Sequence, residues 1–198
     1  MGAVNIHFNL QTNKAIIGKG KSVMQKFFYA FIIISILLAG CNPAPAQLSE
    51  QDMAAIYQAV IRQIYLVDNT FGGEVDTPML YIIRATDDMS GDPNADEANS
   101  ILLSEKTQQD ISNALADLNA KIVWVDNFEQ VSIDDTGIVS DGGAIVTLGN
   151  IKMENENKVL VPVSLYFANL GAGGRTYIVE KKYGVWTVTG DTGVRWVS

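Results

Sequence analysis

The clearest periodicity in the chain begins just past position 48. Met53, Ile56, Tyr57, Val60, Ile64 and Tyr65 fall three and four apart, which places them on one face of an α-helix. Ser49 precedes them as an N-cap, and Asp52 can reach back to it. The spacing predicts a helix of roughly 17 residues with that stripe turned to a core. Positions 69–73 break the pattern, and "MLYIIRA" at 79–85 reads as a strand entered after Pro78. A second helix starts from a Ser104 cap, with Ile111, Leu115 and Leu118 as its stripe. Positions 121–126, "KIVWVD", form the next strand.

The remainder alternates with period two. "DDTG" and "SDGG" are hairpin turns with glycine available for positive φ. Strands are expected at 144–148, 159–168, 176–182, 185–189 and 194–197. In the longest, Val159, Val161, Val163, Leu165 and Phe167 face one way. Pro162 cannot donate to a ladder, so this strand is expected at a sheet edge or at a bulge. "VEKKYGVWTV" reads as a tight hairpin around Tyr183-Gly184, with Trp186 and Val188 on one face. Helices first and strands after give an α+β class, with two helices packed on one face of a curved antiparallel sheet. Over residues 48–198 this order resembles the cone of cystatin and nuclear-transport-factor domains, a resemblance of topology that carries no specific motif.

Upstream, "FFYAFIIISILL" at 27–38 is apolar apart from Ser35. A membrane span needs ~20 such residues, so this run fits the apolar region of a secretion signal. Lys19, Lys21 and Lys26 precede it, and Ala39, Gly40 and Cys41 follow. Leu38-Ala39-Gly40-Cys41 resembles the lipobox of bacterial lipoprotein precursors. That resemblance implies cleavage before Cys41 and lipidation of its thiol, with palmitate-type acyl chains holding the body at the cell envelope. Two acyl chains anchor stably because each buried CH₂ contributes ~0.8 kcal/mol. In enterobacterial members an aspartate after the cysteine favours the inner membrane. Asn42 stands there instead and leans towards the outer one. The alternative is an ordinary signal peptide, or a short buried helix, with an incidental cysteine. Residues 1–23 show no core periodicity and Met24 would start a conventional signal, so 1–23 reads as an extension, 24–40 as the signal peptide, 41–48 as a proline-containing tether and 49–198 as one domain.

Charge sharpens this picture. Residues 41–198 hold ten basic and 22 acidic residues, a net charge of −12. Such a surface repels phosphate backbones, so no nucleic-acid partner is expected, and an anionic bilayer would repel it without an anchor. His7, the only histidine, and Cys41, the only cysteine, both lie outside the domain. Histidine triads, thiol nucleophiles and His/Cys metal sites are thereby excluded from it, and no cofactor is expected.

Three features invite sharper readings. Asp87, Asp88, Asp92, Asn94, Asp96 and Glu97 are the oxygen ligands calcium prefers, but Glu97 stands where an EF-hand needs glycine and Leu103 where it needs glutamate. A solvated loop with no metal is the expectation. "NLGAGGRTY" at 169–177 lies between strands, without the helix N-terminus of a phosphate loop, and is expected to be a flexible hairpin connection. Asp68 and Asp126 with Tyr57, Tyr65, Tyr81 and Tyr166 are the groups from which a cone-mouth proton-transfer site would be made. On amphipathic stripes tyrosines more often serve the core, as do Trp124, Trp186 and Trp196. The leading expectation is a lipid-anchored binding or interaction domain without catalytic residues. An Asp/Tyr-dependent, isomerase-like enzyme and an envelope-assembly scaffold are the alternatives.

Overall fold

The computed structural model describes residues 48–70, 76–95 and 100–198. Cys41, the signal and the tether lie outside the described residues, as do Asp96 and Glu97. Helix α1 spans Glu50–Leu66, and Ser49 caps it by accepting the Asp52 amide at 3.0 Å. Its buried face carries Ile56, Tyr57, Val60, Ile64 and Tyr65, joined by Ala54 and Ile61. Helix α2 spans Glu105–Ala114, capped by Ser104 through the Thr107 amide at 3.1 Å, and Ile111 and Leu115 are fully buried. Among the described residues no helix is long and apolar enough to cross a membrane.

Seven strands complete the α+β domain: β1 (Met79–Ile83), β2 (Lys121–Val125), β3 (Ala144–Leu148), β4 (Lys152–Asn155), β5 (Lys158–Tyr166), β6 (Ala172–Lys182) and β7 (Val185–Val197). They form one curved open sheet in the order β2-β1-β3-β5-β6-β7, with β4 on β5. The sheet is mixed, where the sequence pattern led us to expect antiparallel pairing throughout. β1 is parallel to both β2 and β3, and every other pairing is antiparallel. The physical reason is the connection: a parallel partner needs a crossover, and the long link carrying α2 supplies one between β1 and β2. Alternation within a strand reports which face is buried and is silent about direction.

Val159, Val161, Val163 and Leu165 of β5 meet the buried face of α1 in the main core, and Trp186 of β7 closes it. A smaller cluster of Ile83, Val125, Val131, Val139 and Ile145 lies apart from it. Pro162 sits neither in an edge strand nor at a bulge. β5 is interior, but its partner on one side changes from β4 to β3 beside Pro162. Its carbonyl accepts from Gly149 at 2.7 Å in that gap. A residue's N–H and carbonyl share one side of a strand, so the missing donor faces the join between two strands.

Three further expectations need correction. Residues 172–177 belong to β6 rather than to a flexible connection. Gly174 is there because a Cβ would lie 2.0 Å from the Ser90 carbonyl and 2.4 Å from the Trp196 indole nitrogen. The start of the acidic stretch is not solvated either: Asp88 and Ser90 are buried against the segment that follows β3. β7 also runs unbroken through Gly190 and Gly193, because register shifts against β6 absorb the irregularity that read as a strand break.

Candidate functional site

The parallel strands create the most suggestive surface. β1 runs on to β2 on one side and the chain returns to β3 on the other, so the strand order reverses at β1. In open α/β sheets, ligands occupy the crevice at the carboxyl ends of strands beside such a reversal. Here that crevice is a groove of about 490 Å³, floored by Ile83 and bounded by Asp87, Met89, Asp126, Phe128 and Glu129. Local structure places each wall. Asp87 caps the short turn Asp88–Ser90 by accepting the Met89 amide at 2.9 Å, which turns Met89 outward. Past β2, Phe128–Gln130 forms another short turn, and Phe128 meets the Tyr166 ring edge-on at 5.0 Å. Asp126 accepts from Gln130 at 3.0 Å and pairs with Arg84 at 3.1 Å. Met89 and Phe128 remain about two-fifths exposed. Half-exposed apolar side chains ringed by carboxylates suit a ligand with an apolar body and a cationic group. Among the described residues no three metal-ligating side chains converge.

The tyrosines and aspartates named from sequence do not meet in one mouth. The Tyr57 hydroxyl donates to the Gly149 carbonyl at 3.1 Å, and Tyr65 shares a hydrogen bond with Thr77 at 2.7 Å. Tyr81 donates to Asp141, whose carboxylate pushes the phenol up to about 12. Tyr166 donates to the Gly137 carbonyl at 2.6 Å. One aspartate–tyrosine pair does form, with a partner the sequence reading missed. Tyr177 donates to Asp68 Oδ2 at 2.8 Å, and Gln63 donates to the same oxygen at 2.9 Å. Arg175 stands 3.4 Å from Asp68 and 3.3 Å from Asp191, with its guanidinium 5.8 Å from the Tyr177 ring centre. Burial first, and then the bond to Asp68, push the Tyr177 phenol well above its ordinary value. A phenol so shifted stays protonated and serves as a donor. Its pairing with Val161 in register marks it as a core-face residue, and that alternation was the available signal.

The tryptophans are structural in the same way. Trp186 donates to Asp52 Oδ1 at 2.7 Å, Trp196 to the Ser90 carbonyl at 2.9 Å and Trp124 to Ser112 at 2.8 Å. Lys181 reaches Asp52 at 2.8 Å and lies 5.4 Å from the Trp186 ring centre. Its hydrogen bond, followed by that of Trp186, holds the Asp52 carboxyl below the usual aspartate value. In the acidic stretch, Asp88 accepts the Asn150 amide at 2.6 Å and faces Lys152 at 3.1 Å, while Asp92 accepts the Asn94 amide at 2.9 Å. These carboxylates are spent on local structure. Neither a protein-family model nor a curated protein nor a solved structure matches this chain.

Proposed function

We propose that this chain is a lipid-anchored protein of the bacterial cell envelope whose body binds a ligand rather than catalysing a reaction. The observation that carries the reading is the order of Lys19, Lys21 and Lys26, the apolar run 27–38 and Leu38-Ala39-Gly40-Cys41. Charge, apolar length and a small-residue site before a cysteine are what signal cleavage and thiol acylation require in sequence. A body with a charge of −12 needs such an anchor to remain at an anionic surface.

The groove at the carboxyl ends of β1, β2 and β3 supports the binding half of the reading. It is open, partly apolar and acidic, and suits a cationic amphipathic ligand rather than a polyanion such as nucleic acid. The enzyme alternative draws less support, because Asp68 already accepts from Tyr177 and Gln63 and pairs with Arg175. The test is metabolic labelling with a fatty-acid analogue in cells making the wild type or Cys41→Ser. Label is expected on the wild type alone. Label on the variant, or none on the wild type, would refute the anchor.

A further inference from the structure

We infer that the β6–β7 hairpin tip is a second membrane contact, a lipid-facing tyrosine that seats the anchored domain on the bilayer surface. The inference rests on the lipid anchor proposed above.

Three independent observations meet at this tip. Tyr183 is fully solvent-exposed, with the exposed Val185 beside it. An aromatic ring at the end of a polar hairpin does nothing for the core. Its φ of +53° makes it the one described non-glycine residue in the left-handed region, where Asn, Asp or Gly would sit at lower cost. A bulky ring held there against backbone preference points to a use for the ring itself.

The second observation is position. Lys181 and Trp186 flank the tip and both bind Asp52, in the first turn of α1. The tip therefore lies at the end of the domain where the chain enters from Cys41. Seven peptide steps separate Cys41 from Leu48, and at full extension they span about 25 Å. An anchored sulfur would hold this end of the domain, and not the far end, within that distance of the bilayer.

The third is charge. The elements around the tip are the Lys152–Lys158 hairpin, the Glu180–Val185 hairpin and the first turns of both helices. The Lys181 amide joins the hairpins through Asn157, and Ser104 joins the helix starts through Glu50. Together these segments hold five cations and six acids, while the rest of residues 41–198 holds five cations and sixteen acids. The domain's anionic excess lies elsewhere, so this end can approach anionic headgroups. Tyrosine with a neighbouring lysine is the pair that settles at a membrane–water interface, the ring at headgroup level and the ammonium in water. Lys182 is that lysine, its side chain well exposed beside Glu180.

The experiment uses the acylated mature protein, beginning at Cys41, in vesicles of three parts phosphatidylethanolamine to one part phosphatidylglycerol. A nitroxide is placed at Tyr183→Cys or, as a control, at Leu170→Cys. Leu170 is equally exposed but sits at the opposite end of β6, roughly 36 Å away along eleven strand residues. Neither side chain is buried, so both variants keep the fold. Power saturation is read with oxygen, which partitions into lipid, and with a water-soluble nickel chelate. At 183 the expected result is a several-fold lower nickel accessibility than at 170 together with a higher oxygen accessibility. Equal accessibilities in protein that floats with the vesicles overturn the tip contact and leave the anchor standing. Lower accessibility to both reagents signals a protein neighbour at the tip and also overturns it. Failure of the wild type to float removes the anchor, and the tip contact with it.

Discussion

Replacing Asp52 tests how the domain is tied together. The carboxylate accepts from Lys181 at 2.8 Å and from the Trp186 indole at 2.7 Å, so it joins the start of α1 to the last hairpin. Asp52→Ala strands a buried indole N–H, which costs about 1–3 kcal/mol. It also removes a partly buried ion pair contributing up to about 1 kcal/mol, and a first-turn acid contributing a few tenths. The sum is roughly 2–4 kcal/mol, or about 6–12 °C in Tm for a domain of this size. Asp52→Asn keeps an acceptor for the indole and loses only the charge, so it should cost about 1 kcal/mol. The pH dependence follows from the depressed Asp52 value. A carboxyl ionising more readily when folded stabilises above its unfolded pKa of about 3.9, and the contribution disappears as pH falls through the folded value. The Tm gap between wild type and Asp52→Asn should hold steady from pH 7 to about 5 and close below about 4. Calorimetry across that range checks it. An Asp52→Ala melt within about 2 °C of wild type, or a gap that widens in acid, would refute the reasoning.

Other perturbations address separate parts of the fold. Ser104→Ala removes the α2 cap and its bond to Glu50, and should lower stability by about 1 kcal/mol in denaturant titrations at unchanged m-value. Gly174→Ala drives a methyl against the Ser90 carbonyl and the Trp196 indole, so a loss of about 1–3 kcal/mol with altered near-ultraviolet dichroism is expected. Gly190→Ala, which meets open space, should stay within about 0.5 kcal/mol of wild type. Because Asp141 holds the Tyr81 phenol up to about 12, phenolate absorbance should show that group ionising earlier in Asp141→Asn. The stability this pair contributes in the wild type is full below an ordinary phenol's pKa of about 10 and fades as pH rises through the folded value.

How far the sequence could be read depended on whether a feature is local. The helix starts were legible because Ser49 and Ser104 bond to amides three residues away. The buried face of β5 was legible because alternation is a property of one strand. The partners of β1 were not, since they are set by the crossover through α2 rather than by any residue in Met79–Ile83. β4 carries no buried apolar face: all four of its residues, Met153 included, are exposed, and it exists by pairing with β5. Pro162 and Gly174 were both misread for one reason. Each answers a neighbour distant in sequence, the β3-to-β4 join in one case and the Ser90–Trp196 contact in the other. Asp68 was grouped with Tyr57, Tyr65, Tyr81 and Tyr166, none of which it meets; its actual tyrosine partner, Tyr177, lies 109 positions away.

These long-range partners show how the domain's conspicuous aspartate, tyrosine and tryptophan side chains are used within the fold. Asp52 bonds to β6 and β7, Tyr57 to the Gly149 carbonyl just past β3, and Asp68 to Tyr177 and Arg175 on β6. A single helix and its exit are thus tied to the sheet at the start, the middle and the end. Cross-linking of this kind uses phenol and indole donors on carboxylates and carbonyls, in a domain that has no disulfide-forming cysteine and no histidine. Asp52, held by Lys181 and Trp186, is stabilised in its charged form and makes a poor proton acceptor. Among the exposed apolar side chains are Met89 and Phe128 beside acids in the groove, and Tyr183 at the hairpin tip. A cross-linked frame that leaves apolar and aromatic side chains at these surface positions is consistent with the binding domain proposed above.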